Sequence, residues 1–255
     1  MSQRYHLYSA IVKLRLYIFC CVLLVQNETL AQGLSNDFPS PPEAQLESAR
    51  LLYNNLKLEE ALRAYNTMLV EFQDNGEVLF GLALTTEALQ DYDQALIYYN
   101  LLVHYDFELP EIYMNRGKIR YAKMQFEAAR NDFEIGEQVP VRETRLVQFK
   151  GWTPSEGSAT QMEEISTSDS WANEFTEWQA KCLLKLNRLE DALLEYQELI
   201  ERAPKSVLYL LGRSEVYIVN GDMTAAINDL KNALMIDPSN EQATFNLLQL
   251  SNEDV

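Results

Sequence analysis

The sequence predicts an all-α protein built as a solenoid of about five helix-turn-helix units, followed by one capping helix. Three features of the sequence support this: an alanine recurs at a fixed spacing, an aromatic residue or a leucine follows it four residues later, and a second small residue precedes it by twelve. A period between about 20 and 50 residues is the signature of repeat proteins, whose units bury their apolar faces against their neighbours.

The recurring alanine marks the second helix of each unit. Ala61, Ala95 and Ala129 are 34 residues apart, and the pattern returns at Ala192 and, 34 residues later, at Ala226. Residues i and i+4 lie on the same face of a helix, so the residue that follows each alanine extends the same buried stripe. These following residues are Tyr65, Tyr99, Phe133, Tyr196 and Leu230.

The second small residue marks the first helix of each unit. It is Ala49, Ala83, Gly117, Ala180 or Ser214. Paired helices approach to about 8 to 10 Å, and the closest approach requires small residues at the facing positions. We therefore expect Ala83 to face Ala95, and Tyr99 to fill the gap towards the following unit. Between the two helices of the fifth unit, Gly221 supplies the end of the first helix and Asp222 supplies the N-terminal cap of the second.

With Pro204 and Pro238 closing the last two units, the pattern resembles the tetratricopeptide repeat, a helix pair with a small residue in the first helix, A-x-x-x-F in the second and a final proline. The resemblance covers roughly residues 42–143 (units 1 to 3) and 173–240 (units 4 and 5). It implies a right-handed α-solenoid, with residues 241–255 forming the capping helix and a tail.

The resemblance also implies a binding surface, because the first helices of successive units line a concave groove that binds peptides or extended segments of partner proteins. The repeat register assigns eleven residues to this groove. Their mixed aromatic, aliphatic and charged character suits either an amphipathic helix or an extended strand of a protein or peptide partner. They are Tyr53, Asn54, Phe80, Leu84, Glu87, Met114, Lys118, Tyr121, Lys181, Leu184 and Lys185.

A clamp for a terminal carboxylate, which chaperone-binding members of that family carry, is absent from this sequence. Of the five matching positions only Asn115 agrees with it, and the others are Leu46, Arg50, Gly81 and Glu111. This departure argues against a cytosolic cochaperone.

Residues 144–172 form an insertion that expands one repeat period by 29 residues. Loops longer than about 12 to 15 residues tend to be functional or disordered. One interpretation is a tolerated surface insertion, of which Trp152 and Trp171 pack back onto the neighbouring helices. The other is a loop that covers the groove or offers Phe149 and Trp152 to a partner, since tryptophan is enriched at binding hot spots.

Residues 1–31 are typical of a signal peptide: basic residues precede a ten-residue apolar run from Leu16 to Val25, and we expect cleavage after Ala31. A helix needs about 20 apolar residues to cross a bilayer, so an uncleaved anchor is the less favoured alternative. Residues 32–41 then form a linker. The segment favours export to a bacterial periplasm or cell envelope, with secretion as the alternative, and membrane contact only through a partner or an uncleaved segment.

Charge and residue content argue against several function classes. A formal net charge of −17 opposes binding to nucleic acid, whose phosphates must be neutralised by lysine and arginine. Two histidines in the whole chain leave no histidine triad and no multi-histidine metal site. Cys182, the one cysteine beyond the signal peptide, fits a small core residue. We predict no enzymatic activity, no cofactor and no metal.

These features together predict an exported, non-catalytic scaffold or adaptor that binds a partner protein or peptide in its concave groove. The alternative is a structural subunit of an envelope enzyme complex or of a secretion or assembly machine, in which the outer faces of the helices make the contacts.

Overall fold

The computed structural model describes residues 41–140 and 167–253. Within these ranges the chain forms eleven α-helices and no strand. We number them in chain order: α1 Glu43–Asn54, α2 Leu58–Leu69, α3 Gly76–Ala88, α4 Tyr92–His104, α5 Pro110–Ala122, α6 Phe126–Gln138, α7 Thr167–Lys185, α8 Leu189–Arg202, α9 Val207–Asn220, α10 Met223–Ile236 and α11 Glu241–Glu253.

The helices pack as consecutive pairs, which confirms the predicted solenoid. In each of five pairs, from α1 with α2 to α9 with α10, a turn of two or three residues joins the two helices, and these pack against each other. Each pair also contacts the next pair along the chain, and α11 packs on α10. Contacts between neighbours in sequence therefore build the core, as expected of a repeat protein.

The predicted repeat positions are deeply buried in the part of the chain that the structure describes. The five recurring alanines, from Ala61 to Ala226, are 0% exposed, and the five small residues twelve positions earlier are also buried. The aromatic or leucine residues that follow the alanines are buried as well. The small residues thus allow the two helices of a unit to approach closely, and the large ones fill the space beside them.

The large side chain after each alanine reaches the first helix of the following unit. The ring of Tyr65 lies against Gly81, where an added Cβ would come within 2.3 Å of the ring, and Tyr196 lies against Gly212 in the same way. Phe133 stacks on Trp178, with ring centroids 5.7 Å apart. Because Trp178 occupies the same position relative to Ala180 as Gly212 does to Ser214, the repeat register continues across the insertion.

Two units also carry a buried ion pair between their helices, at equivalent positions that differ from those in the predicted pattern. Arg116 of α5 donates to Asp132 of α6, with 2.6 Å between Nη2 and Oδ1, and Arg213 of α9 donates to Asp229 of α10 at 2.8 Å. Charges removed from water require such partners, so these pairs favour one alignment of the two helices.

The turn inside each unit requires a left-handed backbone, a feature that the sequence pattern indicated only at Gly221. The residue five positions before each alanine has a positive φ, between 59° and 81°. These residues are Leu56, Gln90, Met124, Asn187 and Gly221. A side chain other than glycine is disfavoured in this conformation by about 1 to 2 kcal/mol.

Helix α7 begins at Thr167, inside the predicted insertion of residues 144–172. This helix has 19 residues, whereas the other described helices have 12 to 14. The ring of Trp171 stacks on Phe175 one turn further on, with centroids 5.8 Å apart, and this apolar contact helps to hold the additional turn. Phe149 and Trp152 lie outside the described residues, as do the signal peptide and all of the linker except Pro41.

Candidate binding groove

The first helices of the last units enclose an open groove of about 610 Å³, which we call the C-terminal groove. Helices α7, α9 and α11 supply eleven of its lining residues, and α8 supplies one. A helix with its side chains is about 10 Å wide, so this volume suits one face of a short chain segment and not a folded domain. The lining residues are Glu177, Lys181, Tyr196, Leu208, Leu211, Gly212, Glu215, Ile218, Gln242, Asn246, Gln249 and Leu250.

One side of the C-terminal groove is apolar. Leu208 at the start of α9 has 53% of its surface exposed, and Leu211 and Ile218 on the same helix are partly exposed. A single exposed leucine needs no explanation, but here three apolar side chains of one helix line the same groove. Covering them with a partner's side chains would remove apolar area from water.

The opposite side, on α11, is formed largely by uncharged amides. Gln242 donates from Nε2 to Oδ1 of Asn246 over 2.7 Å, and Gln249 lies further along the helix. Amide side chains both donate and accept hydrogen bonds, so this wall can bond to a partner's backbone or polar groups.

The charged residues of the C-terminal groove are two glutamates and one lysine. Lys181 forms an ion pair with Glu177 one helical turn away, at 2.6 Å. Glu215 pairs with Lys185 at 3.5 Å, and both of these side chains are about half exposed. Exposed pairs of this kind are weak, at about 0 to 1 kcal/mol, so the carboxylate of Glu215 remains accessible to another cation.

Burial and neighbouring glutamates raise the pKa of two tyrosines in and beside the C-terminal groove. Burial raises the pKa of Tyr196, and the carboxylates of Glu177 and Glu215 raise it further. Burial also raises the pKa of Tyr209 to about 12, with the charges of Glu177 and Glu174 acting in the same direction. A negative charge opposes formation of a tyrosinate, so the glutamates add to the effect of burial at both tyrosines.

Four of the eleven predicted groove residues are buried in the core, which corrects their assignment to an accessible surface. They are Phe80, Leu84, Met114 and Leu184. Phe80 packs edge-to-face on Tyr99, with centroids 6.5 Å apart. Neighbouring helices cover these side chains, so they support the inner face from behind instead of forming it.

Other predicted residues remain on the inner face but are engaged within the protein. Glu87 accepts a hydrogen bond from the Tyr99 hydroxyl at 2.6 Å, and Lys118 pairs with Glu174 of α7 at 2.8 Å. Tyr121 packs edge-to-face on Trp178, with centroids 5.3 Å apart.

The last predicted residues lie at the two ends of the inner face. Tyr53 and Asn54 are partly buried on α1. Lys185 contacts Glu215 at the margin of the C-terminal groove, and Lys181 is the predicted residue that lines this groove.

Trp178 is absent from the predicted residues, although it connects several of them. The Nζ atoms of Lys181 and Lys118 lie 4.4 and 5.5 Å from the centre of its ring, within the range of a cation–π interaction. The groove residues of α9 were also missed. Continuing the repeat register into the fifth unit would have found them, since Leu211 and Glu215 occupy the positions that Met114 and Lys118 hold in the third.

Two residues with potential chemical reactivity occupy ordinary structural positions. Cys182 is fully buried, and burial raises the pKa of its thiol to about 12, so the thiol stays protonated and packs as a small apolar group. His104 ends α4 and packs beside Tyr105. Among the residues that the structure describes, no three His, Cys, Asp or Glu side chains are grouped to hold a metal ion. None of the helices in residues 41–140 and 167–253 is both long and apolar enough to cross a membrane.

Comparison with known proteins identifies the repeat and its fold. The sequence model of the tetratricopeptide repeat family matches residues 46–108 and 172–241, more than half of the chain. No curated protein matches the sequence.

Several solved structures share the fold at low sequence identity. YrrB, described as a TPR protein with an unusual peptide-binding site, has a TM-score of 0.63 at 15% identity over 81% of this chain and 91% of its own. MamA from Desulfovibrio magneticus has a TM-score of 0.60 at 12% identity over 78% and 96%. PilF from Pseudomonas aeruginosa has a TM-score of 0.55 at 10% identity over 82% and 86%.

Proposed function

Because the chain belongs to the tetratricopeptide repeat family, we propose that it is a protein-interaction scaffold whose C-terminal groove holds a segment of a partner protein. The observation that carries this proposal is the open volume of about 610 Å³, bounded by three first helices and exposing Leu208, Leu211 and Ile218. The apolar side can bury apolar side chains of a partner, and the amide and charged residues on the other sides can fix its orientation. YrrB, which shares the fold, is described as having an unusual peptide-binding site, and this supports peptide binding as a use of the fold.

We further propose that the scaffold is non-catalytic and acts after export. Residues 1–31 have the composition of a cleaved signal peptide, which favours a bacterial periplasm or cell envelope, with secretion as the alternative. The buried, protonated Cys182 offers no nucleophile.

Site-specific photocrosslinking in the native cell tests the groove proposal. A photoreactive amino acid replaces Leu208 inside the C-terminal groove or, as a matched control, the exposed Leu194 of α8, which does not line it. We expect a discrete covalent adduct from position 208 and none from position 194. Both positions lie in the last two units, so differences in expression or folding are detected by comparing the yields of the uncrosslinked protein.

The same experiment examines the alternative of a structural subunit that uses its outer faces. The exposed Ile97 of the second helix α4 serves as a further outer position. Adducts from positions 97 and 194 without one from position 208 would support that alternative and contradict the groove proposal.

A further inference from the structure

The charges of the C-terminal groove specify the kind of segment that it binds. We propose that the occupant is a basic amphipathic segment, in which lysine or arginine side chains accompany apolar ones. This inference rests on the proposed function, since it assigns a chemistry to the partner that the groove holds.

The first support is the arrangement of ion pairs. Lys181 is engaged by Glu177 at 2.6 Å, so the lysine of the groove is already neutralised. The Glu215 side chain is 57% exposed and has only a long contact of 3.5 Å to Lys185 at the margin. A cation from a partner therefore has an accessible carboxylate to bind, whereas an incoming carboxylate meets a lysine that is already paired.

The second support is the potential around the groove. The charges of Glu177 and Glu215 act on the hydroxyl of Tyr196, and those of Glu177 and Glu174 act on Tyr209. Arg202 opposes the effect at Tyr209, and burial remains the largest cause at both tyrosines. Because Glu177 is paired with Lys181, Glu215 is the carboxylate beside which a positive side chain is favoured.

The third support is the net charge of −17, which attracts basic segments from a distance and repels acidic ones. The same charge disfavours a second copy of this chain as the occupant, because two such copies repel each other.

The apolar part of the groove requires the segment to be amphipathic. Leu208, Leu211 and Ile218 lie on one side of α9, so a purely charged segment would leave them exposed. Apolar side chains that cover them, together with a lysine or arginine near Glu215, satisfy both parts of the surface. The amides of Gln242 and Gln249 add hydrogen bonds without changing the charge.

A displayed library of linear peptides tests the inference without a known partner. The peptides have about 14 residues, the length of four helical turns. Each position is drawn from leucine, lysine, glutamate, glutamine and serine. Selection uses the purified protein, with removal of every peptide that also binds the Leu208→Ser variant, which removes the apolar side chain without adding a charge. The Leu194→Ser variant is the control for the same change at an exposed leucine outside the groove.

We expect the peptides that depend on Leu208 to carry a net positive charge and to bind the Leu194→Ser variant unchanged. Glu215→Lys should weaken a selected basic peptide by about tenfold or more, because it replaces the accessible carboxylate with a like charge. The spacing of the selected leucines then separates a helix, with intervals of three and four, from a strand, with intervals of two.

One result would overturn the proposal of a basic occupant, and a different result would overturn the proposal of the groove itself. Peptides that depend on Leu208 but are neutral or acidic would refute the basic occupant and leave the groove proposal standing. If no peptide distinguishes the wild type from Leu208→Ser while both proteins have the same circular dichroism spectrum, the groove itself is not a binding site.

Discussion

Equivalent positions on the first helices of the two halves of the solenoid differ in whether their side chains are buried or accessible. In the N-terminal half, Phe80 and Met114 are 4% and 0% exposed and belong to the core. In the C-terminal half, the equivalent position on α9 is Leu211, which lines the open groove. The same repeat position is therefore buried in the core in one half and open to a groove in the other, and side-chain packing decides which.

The turns inside the units differ between the halves as well. Leu56, Gln90 and Met124 hold a left-handed backbone in the first three units, whereas Asn187 and Gly221, the two residue types that tolerate it best, hold it in the last two. The N-terminal half thus combines buried inner positions, such as Phe80 and Met114, with strained turns. Substitutions at both kinds of position separate packing from backbone strain.

The largest effect on stability is expected from truncating a buried side chain of the N-terminal half. Phe80→Ala should reduce the free energy of unfolding by about 3 to 5 kcal/mol, because it leaves a cavity beside Tyr99. Leu208→Ala, the matched change in the open groove, should change it by less than about 1 kcal/mol, since this leucine is already half exposed. Urea denaturation followed by circular dichroism measures both. Equal losses would show that the two inner faces are packed alike.

A smaller effect is expected at the turns. Met124→Gly should stabilise the protein by about 1 kcal/mol, because glycine adopts the positive φ of 59° without steric conflict. Gly221→Ala should destabilise it by a similar amount, since a Cβ there meets no atom within 4 Å and only the backbone conformation opposes it. Thermal and urea unfolding provide the measurement. A loss of stability in Met124→Gly would mean that the exposed methionine contributes packing that outweighs the strain.

The smallest expected effect is a pH dependence of stability that arises from Glu87. Burial raises the pKa of Glu87 above its ordinary 4.5, although the Tyr99 hydroxyl and the charge of Lys118 partly oppose this. The folded state therefore binds more protons than the unfolded state, and the contribution of Glu87 to stability is present below pH 4.5 and is lost as the pH rises through its folded pKa.

Glu87→Gln removes this titration. As the pH rises from acidic to neutral, the wild type should lose unfolding free energy relative to Glu87→Gln. Asp91→Asn, on an exposed carboxylate nearby in the chain, is the control. A pH-independent difference for Glu87→Gln would contradict the assignment of the raised pKa.

The sequence by itself determined the helical solenoid, its five units and the residues that bring the two helices of each unit together. Ala61 to Ala226 and their partners could be identified because each unit contacts only its neighbours, so burial repeats with the period of the sequence. The same reasoning located Lys181 on the inner face and Cys182 in the core.

Only the tertiary structure decided which inner positions a partner can reach. Phe80 and Leu208 are both large apolar residues on first helices, but neighbouring helices cover Phe80 and leave Leu208 open. The stacking of Trp178 on Phe133 likewise depends on a contact across the insertion. Exposure is set by the relative position of three consecutive first helices, and the spacing within one unit contains no information about that position.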